Sequence, residues 1–123
     1  MGSPSSAEVE VAALSDAYEA ALIANDVAAM DAVFWNSPDT IRFGIAEVQH
    51  GYDEIAAWRA TAGGVPSTRR ITRRTVCELA PGVVAVDLTF VNGDDPTVGR
   101  QSQVWVRTDI GWRIKRAHVS MQR

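Results

Sequence analysis

The sequence predicts an α+β domain in which three amino-terminal helices pack on one face of a strongly curved, mostly antiparallel sheet. Segments with helical spacing come first, and four long segments of alternating polarity follow one another to the carboxyl terminus. This order favours an antiparallel sheet, because parallel strands need a helix in every crossover. Since the helices cover only one face, we expect the curved sheet to leave a conical cavity that is open at one end.

The three predicted helices are defined by their apolar stripes and end signals. The first begins at residues 5–8, where serines suit the cap and Glu8 stands in the first turn. The second ends before Pro38, because proline lacks an N–H donor. The third covers residues 53–62, with Ile55 and Trp58 or Arg59 on its inner side. The stripe of the first helix is Val11, Leu14, Tyr18, Ala21 and Leu22, its opposite face carries Glu10, Asp16 and Glu19, and the second helix buries Met30, Val33 and Phe34.

The strands are separated by turns rich in glycine, proline, asparagine and aspartate. Residues 40–45 and 47–50 predict a small hairpin. The long strands cover residues 68–79, 83–91, 101–107 and 112–120. The turns between them favour antiparallel neighbours.

Length and composition restrict the class of protein. The 123 residues suffice for one core, and we expect a disordered tail over residues 1–6 and a single domain over residues 7–123. The net charge of −3 argues against attraction to nucleic acid, and no apolar run is long enough to span a membrane. Cys77 is the only cysteine, which favours a reducing, cytoplasmic location and no zinc site. No phosphate loop or dinucleotide motif suggests a cofactor.

The last strand supplies the first site candidates, because residues two apart share a face of a strand. On this spacing Arg116, His118 and Ser120 follow Trp112 and Ile114 on the side expected to face the cavity. A histidine titrates near neutral pH, so His118 is a candidate proton shuttle, or alternatively a buried structural residue. Ser120 either orients a carboxylate or the imidazole, or only satisfies the chain end.

Arginines supply the second group of candidates. If Arg42 faces the cavity, its guanidinium can bind a carboxylate through two hydrogen bonds; the alternative is a surface arginine on an edge strand. Arg59 offers a second positive charge, with a solvated helix face as the alternative. Two arginines facing one cavity would predict an anionic ligand.

Aromatic side chains and one aspartate complete the candidates. The possible pocket walls are Tyr18, Trp35, Phe43, Trp58, Phe90 and Trp112, although most aromatics at such spacing serve the core. Trp105 is expected on the outer face of the sheet, at a dimer interface. Asp87 is either a general base inside the cavity or, as we favour, an outer-face partner of an arginine from residues 69–74.

Several segments resemble the AtzH-like family, which includes the oxalurate-catabolism protein HpxZ, within the nuclear transport factor 2-like and SnoaL-like superfamily. They are ANDV at 24–27, FW at 34–35, TIRFG at 40–44 with GYDEI at 51–55, and GRQSQVWVR at 99–107 with GWRI at 111–114 and AHVS at 117–120. The sequence departs from the family at Trp58, where phenylalanine is expected, and in the loop after it, at Gly63 and Gly64.

The resemblance implies a cone-shaped fold, a homodimer packed through the sheet, and a cofactor-free decarboxylase acting on a small carboxylated nitrogen compound of the carboxyurea or oxalurate type. The catalytic candidates are then Arg42, His118 and Ser120, and the substrate-binding candidates are Tyr18, Trp35, Phe43, Trp58, Arg59 and Arg116. Two alternatives stay open. One is a non-catalytic dimer that binds a small anion or docks onto an amidase. The other is an isomerase of the SnoaL or ketosteroid isomerase type, which needs a carboxylate inside the cavity.

Overall fold

The fold was obtained as a computed structural model, which describes residues 2–122. Three helices precede most of the sheet: α1 (Ser6–Ala24), α2 (Val27–Ala32) and α3 (Tyr52–Thr61). A capping box starts α1, because Ser5 Oγ accepts a hydrogen bond from the Glu8 amide while the Glu8 carboxylate accepts one from the Ser5 amide. Asn25 ends the helix in the left-handed conformation, with φ of 52°.

A six-stranded sheet forms the second layer. Its strands are β1 (Ile41–Phe43), β2 (Val48–His50), β3 (Arg69–Ala80), β4 (Val83–Asn92), β5 (Val98–Thr108) and β6 (Gly111–Gln122). Their spatial order is β2-β1-β6-β5-β4-β3. Neighbours are antiparallel except for β1 and β6, which pair in parallel. The α+β prediction is therefore confirmed.

Irregularities in register bend the long strands. They occur between Ile71 and Arg73 and between Glu78 and Ala80 in β3, and where Val104 and Trp105 of β5 meet β6. An extra residue in one strand increases local twist and reverses the faces of the side chains beyond it. The irregularity next to β6 decides which residues of that strand reach the interior.

The helices cover one face of the sheet, here called the inner face. Helix α1 packs against β3 and β4, α3 packs against β2 and β1, and α2 contacts both other helices. The largest fully buried side chains are Trp105, Phe34, Met30, Ile55, Ile114, Val11, Val84 and Val86. Within residues 2–122, no helix is long and apolar enough to cross a membrane. Over the described residues, no helix covers the opposite, outer face of the sheet.

Candidate functional site

A pocket of about 270 Å³ lies between the helices and the inner face of the sheet. Its walls come from the carboxyl-terminal parts of α1 and α3, from the loop that carries Gly64, Val65 and Pro66, and from the inner face of β3 to β6. Among the predicted candidates, Tyr18, Arg42, Trp58, Arg59 and Phe90 border it. The structure thus brings two of the expected arginines to one cavity.

Arg59 is the most unusual side chain in the pocket wall, because it is charged and only 3% exposed. Its Nε donates to Asp31 Oδ1 at 2.8 Å, and its Nη1 lies 3.3 Å from Met30 Sδ. Its Nη2 is buried and has no hydrogen-bond partner among residues 2–122. Buried polar atoms are nearly always hydrogen-bonded, and a charged donor left without a partner is costly. Arg59 therefore has the capacity for one more acceptor.

Arg42 is held by side chains on the neighbouring hairpin and helix. Its Nη1 donates to Glu47 Oε1 at 2.9 Å and to Gln49 Oε1 at 3.0 Å. The guanidinium stacks on Trp58, with its central carbon 3.7 Å from the ring centroid. Stacking and ion pairing fix the plane of the guanidinium, so its position in the wall is set before any ligand arrives.

A buried network that we did not predict forms the opposite wall. Glu19 Oε1 and Oε2 accept hydrogen bonds from Arg69 Nε at 2.9 Å and Nη2 at 3.3 Å. Gln101 Nε2 donates to Glu19 Oε2 at 3.0 Å, and Gln101 Oε1 accepts from Arg69 Nη2 at 3.2 Å. All three residues are buried, so the assignment of Glu19 to the polar face of α1 is wrong. A signal was present, since residues 11, 15 and 19 recur every fourth position along the buried side.

Tyr18 borders the pocket together with Arg42 and Arg59, and its phenol lies within hydrogen-bonding range of the Arg59 side chain. Burial raises the pKa of this phenol, and the positive charges of Arg59 and Arg42 offset only part of the rise. The hydroxyl therefore stays protonated at neutral pH and can donate a hydrogen bond.

In the carboxyl-terminal half of β6, the side chains point to the face opposite to the one that we predicted. Arg116, His118 and Ser120 lie on the outer face, and the side chains that border the pocket are Ala117, Val119 and Met121. The cause is Lys115. Val104 pairs with Arg116 and Trp105 pairs with Ile114, so Lys115 is an extra residue. Such a bulge moves the inner face from even-numbered to odd-numbered residues.

His118 and its neighbours are therefore corrected as outer-face residues. His118 is exposed and stands edge-on to Phe43, with ring centroids 5.6 Å apart. Ser120 Oγ accepts a hydrogen bond from Arg100 Nε at 3.2 Å, and Arg116 Nη1 donates to the Asp39 carbonyl at 2.6 Å. Side chains on this face cannot reach a ligand in the pocket, because the sheet lies between them.

Phe43, Trp35 and Trp105 also differ from expectation. Phe43 is exposed on the outer face, because β1 alternates and Arg42 faces inward. Trp35 stays outside the pocket wall, and Lys115 Nζ lies 4.4 Å from the centroid of its ring. Trp105 is fully buried on the inner face, where its Nε1 donates to Gln103 Oε1 at 3.1 Å. The predicted dimer contact through Trp105 is therefore wrong.

Asp87 lies on the outer face, between the buried Val86 and Leu88. It shares a shallow depression with Arg73 and Arg100, although it forms no ion pair within residues 2–122. The described residues also contain no cluster of histidine, cysteine, aspartate and glutamate that could hold a metal ion. Among residues 2–122, the carboxylate that borders the pocket is Glu47, which is ion-paired with Arg42, while Glu19 pairs with Arg69 without itself bordering the pocket.

Comparison with known proteins identifies the family. The sequence profile of the AtzH-like family matches residues 4–123, which is nearly the whole chain. The chain belongs to the AtzH-like family. No curated protein matches it at a significant level. The fold also agrees with the expected nuclear transport factor 2-like architecture, as solved structures show.

Two solved structures are similar in both sequence and fold. A cystatin-like fold protein from Burkholderia xenovorans LB400 is 42% identical, with a TM-score of 0.88 over 93% of this chain and 90% of that one. A protein of unknown function from Pectobacterium atrosepticum SCRI1043 is 33% identical, with a TM-score of 0.88 over 94% and 90%. A nuclear transport factor 2-like protein from Pseudomonas putida KT2440 is 17% identical, with a TM-score of 0.81 over 97% and 89%, and shows the fold alone.

Proposed function

We propose that the protein is a cofactor-free enzyme that binds a small carboxylated nitrogen compound in the pocket and removes carbon dioxide from it. The observation that carries this proposal is the unpartnered Nη2 of Arg59. The nature of the compound and of the reaction follows the AtzH-like resemblance, and the side chains of the pocket are compatible with both.

A carboxylate is the group best suited to accept a hydrogen bond from Arg59 Nη2. Guanidinium and carboxylate form charge-assisted hydrogen bonds, which are stronger than those between neutral groups. Arg42 borders the same pocket and adds a second guanidinium within the wall. The volume of about 270 Å³ falls near the lower limit of ligand pockets, about 300–1,000 Å³, and therefore suits a small ligand.

The reaction needs a proton at the nitrogen that loses its carboxyl group. The bond between that nitrogen and the carboxyl carbon breaks, its electron pair stays on nitrogen, and carbon dioxide leaves. Nitrogen then takes a proton, for which we propose the Tyr18 hydroxyl as the donor, because burial keeps it protonated at neutral pH. Water then returns a proton to the Tyr18 phenolate and leaves as hydroxide, which carries the negative charge of the consumed carboxylate.

The apolar part of the pocket supports release of carbon dioxide. Leu22, Met30, Trp58 and Val119 contribute to its walls. Charge on the carboxylate disperses as the bond breaks, so a wall with little water favours the less polar transition state. The product is neutral and loses its attraction to Arg59.

The test compares an arginine of α3 that borders the pocket with an arginine on the outer face of the sheet. We expect Arg59→Met to abolish release of carbon dioxide from a carboxylated urea and to weaken binding of oxalurate, a stable carboxylate, measured by calorimetry. Arg116→Met is the matched control, because Arg116 is exposed on the outer face and should leave both properties unchanged. Equal behaviour of the two variants would contradict the proposal.

A second candidate is a protein that binds the anion without converting it. The observation that favours it is that Glu47, the carboxylate bordering the pocket, is ion-paired and that no histidine borders the pocket within residues 2–122. It predicts that oxalurate binds while carbon dioxide release stays at the rate without protein. The isomerase alternative is less well supported, because Asp87 lies on the outer face.

For the quaternary structure, we propose a homodimer through the outer face of the sheet. In the part of the chain that the structure describes, this face has no covering helix and exposes Phe43 and Val48. Asp87 beside Arg73 and Arg100 offers both signs of charge for pairing across a two-fold axis. Sedimentation equilibrium should give a dimer that Phe43→Glu dissociates, and a monomer at all concentrations would contradict the proposal.

A further inference from the structure

Gln103 is a polar side chain in the pocket wall that the proposed reaction does not use. It is 3% exposed and lies on the inner face of β5, between Gln101 and Trp105. Gln101 is fully engaged, because its two amide ends bond to Glu19 and Arg69. Gln103 has a different arrangement, since only its Oε1 is engaged.

The orientation of the Gln103 amide is set by Trp105. An indole nitrogen can only donate a hydrogen bond, so the atom that receives it must be the amide oxygen. Trp105 Nε1 lies 3.1 Å from Gln103 Oε1, and Trp105 is itself fully buried. If the Gln103 amide rotated by half a turn, its NH2 group would face the N–H of Trp105, and two donors would oppose each other. Within residues 2–122, no protein group hydrogen-bonds to Gln103 Nε2.

We propose that Gln103 Nε2 is a specificity-determining donor, which binds the carbonyl oxygen of an amide or urea group that is attached to the carboxylate of the substrate. This inference rests on the proposed function, because it takes Arg59 as the site of the carboxylate. What it adds is a contact by which the pocket selects, among small carboxylates, those that carry a neutral carbamoyl group.

The charges of the pocket favour one carboxylate over two. The guanidiniums of Arg42, Arg59 and Arg69 are each paired with a carboxylate, from Glu47, Asp31 and Glu19. These pairs leave the wall without net charge, so an anion must rely on the hydrogen-bond donor that Arg59 Nη2 offers, and each further buried charge is unfavourable. The donor of Gln103 is neutral, so it suits a carbonyl oxygen without a charge.

The experiment compares two small anions of equal charge. Oxamate carries a carboxylate and an amide carbonyl, whereas propionate carries a carboxylate and an apolar end. Calorimetry on the intact protein should show tighter binding of oxamate. Gln103→Met should lower oxamate affinity about tenfold, and should change propionate affinity by less than about twofold, because one neutral hydrogen bond is lost. Equal loss for both ligands, or no loss for oxamate, would overturn the assignment of Gln103.

Two further variants separate the possible causes of failure. Gln103→Glu keeps an acceptor for Trp105 and should fold, but it presents a negative oxygen and should abolish preferential binding of oxamate. Arg59→Met should weaken both ligands. If Arg59→Met weakens both while the Gln103 variants keep the preference, only the role of Gln103 is wrong. If Arg59→Met weakens neither, the proposed function fails, and the role of Gln103 fails with it.

Discussion

Glu19→Gln tests the buried network that supports the pocket. Glu19 accepts three hydrogen bonds from Arg69 and Gln101, at 2.9, 3.3 and 3.0 Å. The glutamine amide can replace one of its oxygens at most, and its NH2 group would face another donor. Arg69, which is 8% exposed, would then be buried without a counter-charge.

The expected loss of stability is large. Removing one partner of a buried ion pair costs about 3–5 kcal/mol. For a chain of 123 residues, this corresponds to a fall in Tm of about 10–20 °C. Asp16→Asn is the matched control on the same helix. Asp16 pairs with Arg74, but its side chain is 71% exposed, so the control should cost at most about 1 kcal/mol.

Thermal and chemical unfolding of the two variants provide the measurement. Circular dichroism should show a much lower Tm for Glu19→Gln than for Asp16→Asn. If both variants unfold within about 1 kcal/mol of the wild type, Glu19 is not a buried partner of Arg69. The description of this wall of the pocket would then be wrong.

Two other predictions concern the close packing of β5 and the titration of the tyrosines. A Cβ added at Gly99 would lie 2.1 Å from the Phe90 ring. Gly99→Ala should therefore lower the free energy of unfolding in urea by about 1–3 kcal/mol. The control Gly63→Ala should be nearly neutral, because a Cβ added there meets no atom within 4 Å. Burial raises the pKa of both Tyr18 and Tyr52 above 10.0, and the unfolded chain therefore loses these protons first as the pH rises. Stability should fall as the pH rises past 10.0, and less steeply in Tyr18→Phe, whereas equal slopes would contradict the burial of this phenol.

The helices and strands could be predicted because their periods are local. Each helix buries side chains at spacings of three and four, and the long strands alternate, so each element was found to within a few residues. The pocket could be predicted only in part. The inward position of Tyr18 followed from the helical spacing, whereas the sequence left open whether Arg42 and Arg59 face the cavity.

The remaining errors have physical causes that no local pattern reveals. The bulge at Lys115 arises from pairing with β5, and no glycine or proline marks it in the sequence. One extra residue was enough to place His118 on the wrong face. Glu19 seemed exposed because its partner Arg69 is 50 positions away. Trp105 was placed outside because its neighbours Val104 and Val106 are apolar too, and hydrophobicity alone cannot orient such a strand.

The face of the sheet that the ligand contacts is the most direct test of the proposed site. Met30 and Met121 border the pocket, whereas His118 stands on the other side of the sheet. NMR spectra of methionine methyl and histidine ring signals, recorded while oxamate is added, distinguish the two faces. We predict that the methyl signals of Met30 and Met121 shift with ligand while the His118 ring does not. Shifts of His118 with unmoved methionine signals would contradict the account.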